Sequence, residues 1–501
     1  MSRLSRREFL MRGGSAIAGS LIAMPLAGRL LLERAEAAPV ITPFPGRLAD
    51  DLAAVVAKLE RKFPYASGIY LSQSGISIRR DRNGKRVSEA PFASEGVSLR
   101  VFDGTQFHDA AIGATSADAL NTAAHDLLAD VSVFKSSYRI LPLEPRTQSW
   151  RTHLDIDPAS ESLPARLARV DREFDRVNWD DPRVRSARVS TDVYDIRRIF
   201  VGGGRRLASA TTMVSHAGLM FGFDKGHPGF GFARRVEQGG LEIATLSDAA
   251  IERMRKEFVE SFTTEPMPAG EYEVVFAPPV TGLLAHESFG HGVEMDQFVK
   301  DRAKAREFLN KPVASSIVSL VDDPSIAGAR GSYPFDDEGV ISAPTRIIEN
   351  GVFVRPLTDL MSATFLGTER TPNGRTQGWD RKPYARMSNT FVAPGTSEPD
   401  EMLASLSNGL YLEGFRNGIE DPQGWGIQFT AATAREYQGG KPTGRIFAPV
   451  TVSGYVPEIL GNITMVGKDF ALEPGTCGKG FKEFIPVTSG GPHIRTKARV
   501  S

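Results

Sequence analysis

Five times along this chain a Gly-containing turn separates two β-forming runs: Asn83-Gly84, Asp103-Gly104, Gly202-Gly203-Gly204, Asn350-Gly351 and Gly439-Gly440. Such turns need positive φ, which Gly and Asn adopt at little cost, and they close antiparallel hairpins. Helical runs lie among them without alternating one-for-one with the strands. Residues 46–63, 116–131, 162–178 and 246–262 repeat apolar positions at helical spacing, with Ser116 or Asp118 and Ser247 placed to cap. A doubly wound parallel sheet needs strict β-α alternation, so this order predicts an α+β fold. Gly202-Gly203-Gly204 is not a phosphate loop, because it lacks the G-x-x-x-x-G-K-[ST] pattern and no helix follows it.

A chain of 501 residues exceeds one ordinary core. The texture changes near Ala269. Before it lies a mixed sheet-and-helix domain, residues 40–268. After it, residues 269–501 read as a mainly antiparallel β domain with helical stretches only around HESFGH (286–291), 301–310 and 398–407. Lys+Arg and Asp+Glu both number 60, so no excess positive charge marks a nucleic-acid binder.

Residues 1–37 read as an address. Ser5-Arg6-Arg7-Glu8-Phe9-Leu10 is similar to a twin-arginine export signal, a weakly apolar stretch runs from Gly13 to Gly28, and Ala35-Glu36-Ala37 offers a small-x-small cleavage site. Pro25 and Arg29 interrupt the apolar run, which is short for a membrane span. The expectation is a protein exported folded, to the periplasm or beyond, with no membrane segment once mature. Anchoring by an uncleaved signal is the minor alternative.

In His286-Glu287-Ser288-Phe289-Gly290-His291 the histidines are five apart. On a regular helix that leaves them about 140° apart around the axis, too far to share one ion. Two local remedies exist. The helix can widen into a π-turn, or it can end at Gly290 and let His291 swing back. The helix itself is expected to start near Val280 or Thr281, after Pro278-Pro279. A pair of surface or capped histidines is the bland alternative. Glu287 sharpens the metal reading, because a glutamate beside a zinc-ligating histidine can take a proton from the attacking water.

A catalytic zinc needs a third protein ligand. The other histidines are His108, His125, His153, His216, His227 and His493. Most fall in the first domain, in segments with no neighbouring acid. Cys477, the one cysteine, sits in EPGTCGKGFKEF between glycines and before Lys479. It is either a buried small hydrophobe or a thiolate held near a cation on a glycine-rich turn. His, His and Cys with an open fourth place make an acceptable zinc site.

With HESFGHGVEMD and GTCGKG in view, the chain resembles the TldD/PmbA family of zinc metallopeptidases, on its catalytic TldD side. The family's H-E-x-x-x-H matches His286, Glu287 and His291, and its Cys-Gly-Lys matches Cys477-Gly478-Lys479. RGSYPFDDEGV (330–340), the NGR at 373–375, RMSNTF (386–391) and NITMVGKDF (462–470) match in kind and order. The likeness covers most of residues 270–485. It implies His286, His291 and Cys477 as ligands of one zinc per active chain, Glu287 as general base, and no other cofactor. It further implies a homodimer, or a heterodimer with a related subunit, that admits unstructured peptides. Two departures stand out: Gly480-Phe481-Lys482 replaces the family's usual continuation after the lysine, and well-known members lack an export signal. A non-catalytic subunit with structural zinc and a zinc amidase acting on modified peptides or cell-wall fragments stay open. Asp336, Asp337 and Glu338 match no metal-loop spacing and read as a turn, or as support for the zinc histidines.

Overall fold

The structure, a computed structural model, describes residues 40–41, 46–480 and 482–501. The export signal expected at residues 1–37 lies outside them. Among the described residues no helix is long and apolar enough to cross a membrane.

The expected α+β fold is present. Residues 40–238 supply a nine-stranded sheet centred on three long strands, β1 (Tyr65–Asp81), β2 (Val184–Gly202) and β3 (Arg205–Asp224), with β4 (His227–Gln238) paired to β3. The β2–β3 turn uses Gly203 and Gly204 at φ 57° and 76°, a backbone that other residues rarely adopt. Helices α1 (Arg47–Glu60), α2 (Ala117–Asp130), α3 (Leu163–Val177) and α4 (Asp248–Glu260) form where the periodicity placed them. Ser116 and Ser247 accept the N–H groups of Ala119 and Ala250, each cap stabilising its helix by about 1 kcal/mol.

The helices build two separate cores on this sheet. Leu52, Val55 and Leu59 of α1 pack with Leu120 and Ala124 of α2 over Val97 and Leu99. Val170 and Phe174 of α3 and Met254 and Phe258 of α4 pack over Val189 and Met220. Cutting Phe258 back to Ala would cost about 3–5 kcal/mol.

From Gly270 onward the framework is β5 (Gly270–Phe276), α5 (Pro278–Ala285), β6 (Leu320–Asp322), β7 (Asn389–Val392), β8 (Asn408–Asp421), β9 (Gly426–Gln438), β10 (Ala471–Lys479), β11 (Lys482–Gly491) and β12 (Ile494–Val500). These fall into a seven-stranded and a six-stranded sheet, mainly antiparallel; β5–β8 and β7–β11 pair in parallel. Helix α5 is buried in the core beside both sheets. Its Gly282 lies so close to β11 that a Cβ there would sit 2.5 Å from Gly490 N.

Four details depart from the sequence expectations. Helix α5 starts at Pro278, not at Val280 or Thr281, because proline's fixed φ suits the first turn and its missing N–H is not needed there. Residues 301–310 give only a 3₁₀ turn, Lys304–Phe308. Short helices at Leu360–Leu366 and Val456–Gly461 carry too few turns to show a period. The β8–β9 hairpin was hidden because Trp425, not Gly, takes the positive φ (60°) at its turn.

The Asp336–Glu338 loop joins the two parts of the chain. Asp336 accepts the N–H groups of Glu338, Val340 and Gly374. Glu338 pairs with Arg100 at 2.8 Å, Asp337 with Arg198 at 3.2 Å, and Arg205 donates to the Gly339 carbonyl at 2.5 Å. Of the roles expected for this loop, the turn is the one observed.

Candidate metal centre

Helix α5 runs into a π-turn over His286–Gly290 and then a 3₁₀ turn over His291–Val293. The His291 N–H bonds to the His286 carbonyl five residues back, and Phe289 leaves helical geometry at φ −107°, ψ 16°. The first of the two remedies is therefore the one used. It absorbs the extra residue and brings the imidazole rings to 5.1 Å between centroids, edge to face at 86°. Packing holds the distortion. Phe289 is buried against Phe353 and Trp425, and a Cβ on Gly290 would lie 2.0 Å from Met387 Sδ.

Cys477 arrives from the other end of the domain, on β10. Its Sγ lies 3.1 Å from His291 Nε2. The ligand atoms of His286, His291 and Cys477 all lie within 4.8 Å of one another. Two features of the cysteine differ from expectation. It sits within a strand opposite Ile485, not on a glycine-rich turn, and the cation on its sulfur is Arg386, not Lys479. Arg386 donates to Sγ and to the Cys477 carbonyl, each at 3.0 Å. Lys479 turns away to Asp296 at 2.6 Å and Glu294 at 3.0 Å, since two buried carboxylates outcompete one sulfur for an ammonium.

The electrostatics favour an anionic sulfur. Burial alone would raise the Cys477 thiol, but the charges of His291 and His286 carry it well below its ordinary value. Burial works against charge on both rings, yet the sulfur raises His286, and the sulfur and Glu294 raise His291. His291 Nδ1 donates to Glu294 at 3.2 Å, which fixes the ring and leaves Nε2 for the centre. Burial would raise Glu294, but Lys479, His291 and Arg386 hold it well below the carboxylate range.

These residues fit a metal ion. His286 Nδ1 is buried with no hydrogen-bond partner among the described residues, an arrangement that costs free energy unless something meets it. Two imidazoles and a thiolate are a donor set suited to zinc with one open position. Glu287 lies beside them, buried, and burial raises its pKa above the ordinary value. Its wall is Gly418 on β8, where a Cβ would fall 2.5 Å from Glu287 Cγ.

Three residues of this neighbourhood escaped sequence reasoning. Glu294 could have been found from its three-residue spacing after His291 on a helical turn. Arg386 lies in the segment just before β7 and belongs to the RMSNTF match, which assigns it no role; Glu420 comes from β8, distant in the chain, and had no local signal. Both carboxylate oxygens of Glu420 are buried without a partner among the described residues. Four of the six other histidines are not free of acids as expected. His108 meets Asp103, His153 meets Asp155, His216 faces Glu173 and His493 meets Asp469. Glu173 reaches its histidine only through tertiary packing, which sequence neighbours do not reveal.

A family model described as the PmbA/TldA metallopeptidase C-terminal domain matches residues 269–501. A metalloprotease of Methanocaldococcus jannaschii is 33% identical over 334 residues, covering 65% of this chain and 71% of the relative. This chain belongs to the PmbA/TldD metallopeptidase family. A Saccharolobus solfataricus protein named zinc metalloprotease TldD homolog is 30% identical over 248 residues, 49% of this chain and 54% of that one. TldE from Thermococcus kodakarensis shares the fold at TM-score 0.68 and 16% identity, over 90% of this chain and 100% of that chain.

Proposed function

We propose that this protein is a zinc-dependent metallopeptidase that hydrolyses short or unfolded peptides with one zinc per active chain. The observation that carries the reading is the convergence of His286, His291 and Cys477 within 4.8 Å, with a π-turn absorbing the extra residue between the histidines and Glu287 lying on that turn. The names of the relatives support the same class of chemistry. Zinc held by these three residues would polarise the scissile carbonyl and acidify a water molecule. Glu287 would take a proton from the attacking water and pass it to the leaving amine. Its raised pKa brings it nearer the working range of a general base. Glu294 and Arg386 hold His291 and Cys477 in place. The protein works in a dimer, with a second copy or a related subunit, as the resemblance of its motifs to the family implies.

Cleavage of an unfolded peptide by the wild type and by Glu287→Gln, at matched zinc content, tests the reading. The variant is expected to keep its metal and lose activity by about 10²–10⁴-fold. Full activity in the variant would remove Glu287 as the base. Export is part of the same proposal: Arg6→Lys with Arg7→Lys should strand the protein in the cytoplasm, and unchanged fractionation would refute it.

A further inference from the structure

Two arginines contact the strands that carry this centre. Arg234 on β4 reaches β10 and donates to the Pro474 carbonyl. Its guanidinium also lies over the ring of Phe415 on β8, 5.8 Å from the centroid. Pro474 precedes Cys477 by three residues, and Phe415 precedes Gly418, the wall of Glu287, by three. Arg234 therefore spans the gap between the two strands that carry the site, about 10 Å along either one from the centre. Arg330 donates to Thr476 Oγ1 at 3.1 Å, on the residue before Cys477 in β10, while its Nε is buried without a partner among the described residues.

Neither arginine forms an ion pair among the described residues, although Glu473 lies near Arg234. Arg100, Arg386 and Arg435 all do. Burial first, and then the like charge of Arg234, bring Arg330 down to about 10. Two part-buried guanidinium groups that interact with each other and make no ion pair among the described residues are costly, and a carboxylate is the planar anion that matches their forks.

We propose that Arg234 and Arg330 form a subsite for a substrate carboxylate, about two or three residues along an extended peptide from the bond cleaved. The substrate class is then peptides with an acidic side chain or a free C-terminal carboxylate at that distance. This rests on the peptidase reading, but binding can be measured apart from cleavage. Zinc-loaded Glu287→Gln protein is titrated into fluorescent extended peptides that differ by Glu against Gln at one position, and into a pair that differs by a free or amidated C-terminus. The acidic member of at least one pair should bind about tenfold tighter. The pair that discriminates tells a side chain from a terminus. Adding Arg330→Gln or Arg234→Gln should bring the preference to about twofold or less. Arg330→Lys and Arg234→Lys, which keep the charge and guard against misfolding, should retain part of it. Equal binding of acid and neutral peptides, or a preference that survives both Gln variants, overturns the subsite. A preference seen without cleavage by the wild type would keep the subsite and sink the peptidase reading; cleavage without preference would do the reverse.

Discussion

Glu287 and Glu420 are carboxylates on neighbouring elements, and burial drives both toward the neutral form. Glu287 has a use for that shift as a base. Glu420, pushed up to about 9 by burial with further push from Glu294 and Glu287, has none in the proposed chemistry. A folded-state pKa above the unfolded one means that stability is full below the unfolded value, about 4.3, and is lost as pH rises toward 9. Glu420→Gln removes that loss. Its melting temperature should exceed the wild type's by about 3–5 °C at pH 8 and by about 1 °C or less at pH 5. An equal gain at both pH values would show that ionisation is not the cause.

The elements of the site differ in how far the sequence foretold them. Helices α1 to α4 and all five glycine-marked hairpins were legible, because period and turn chemistry are local properties. The π-turn was legible as one of two options, since a five-residue spacing on a helix needs one of them. The Cys477 strand, the Arg386 contact and the β8–β9 hairpin were not, because each depends on pairing between segments far apart in the chain. Gly418 belongs to this second group: nothing local marks it, yet its missing side chain makes the space that Glu287 fills. Gly418→Ala should displace the carboxylate by several tenths of an ångström or more. We expect kcat to fall about 10²-fold with metal content unchanged, by steady-state kinetics beside metal analysis. Wild-type kcat would mean that Glu287 is not held by this wall.

Across the whole molecule, a buried ionic brace ties the N-terminal sheet to the part that carries the centre. Arg100 and Glu338 meet at 2.8 Å with little exposure on either side. Arg100 also pairs with Asp109 at 2.6 Å, and burial already pushes Glu338 up, so that acid can take a proton when the cation is lost; Arg100→Ala should therefore lower stability by about 1–3 kcal/mol in urea denaturation, whereas an unchanged midpoint would show the brace to be idle. The centre itself is also a property of the whole C-terminal fold, since Cys477 comes from a strand near the end of the chain and the two histidines from a helix near the domain's start. Metal analysis of the purified protein, with cobalt substituted to report sulfur ligation, tests that convergence most directly. One ion per chain, with a thiolate charge-transfer band that disappears in Cys477→Ser, is the predicted result. An ion bound equally well in Cys477→Ser, with no sulfur band in the wild type, would contradict it.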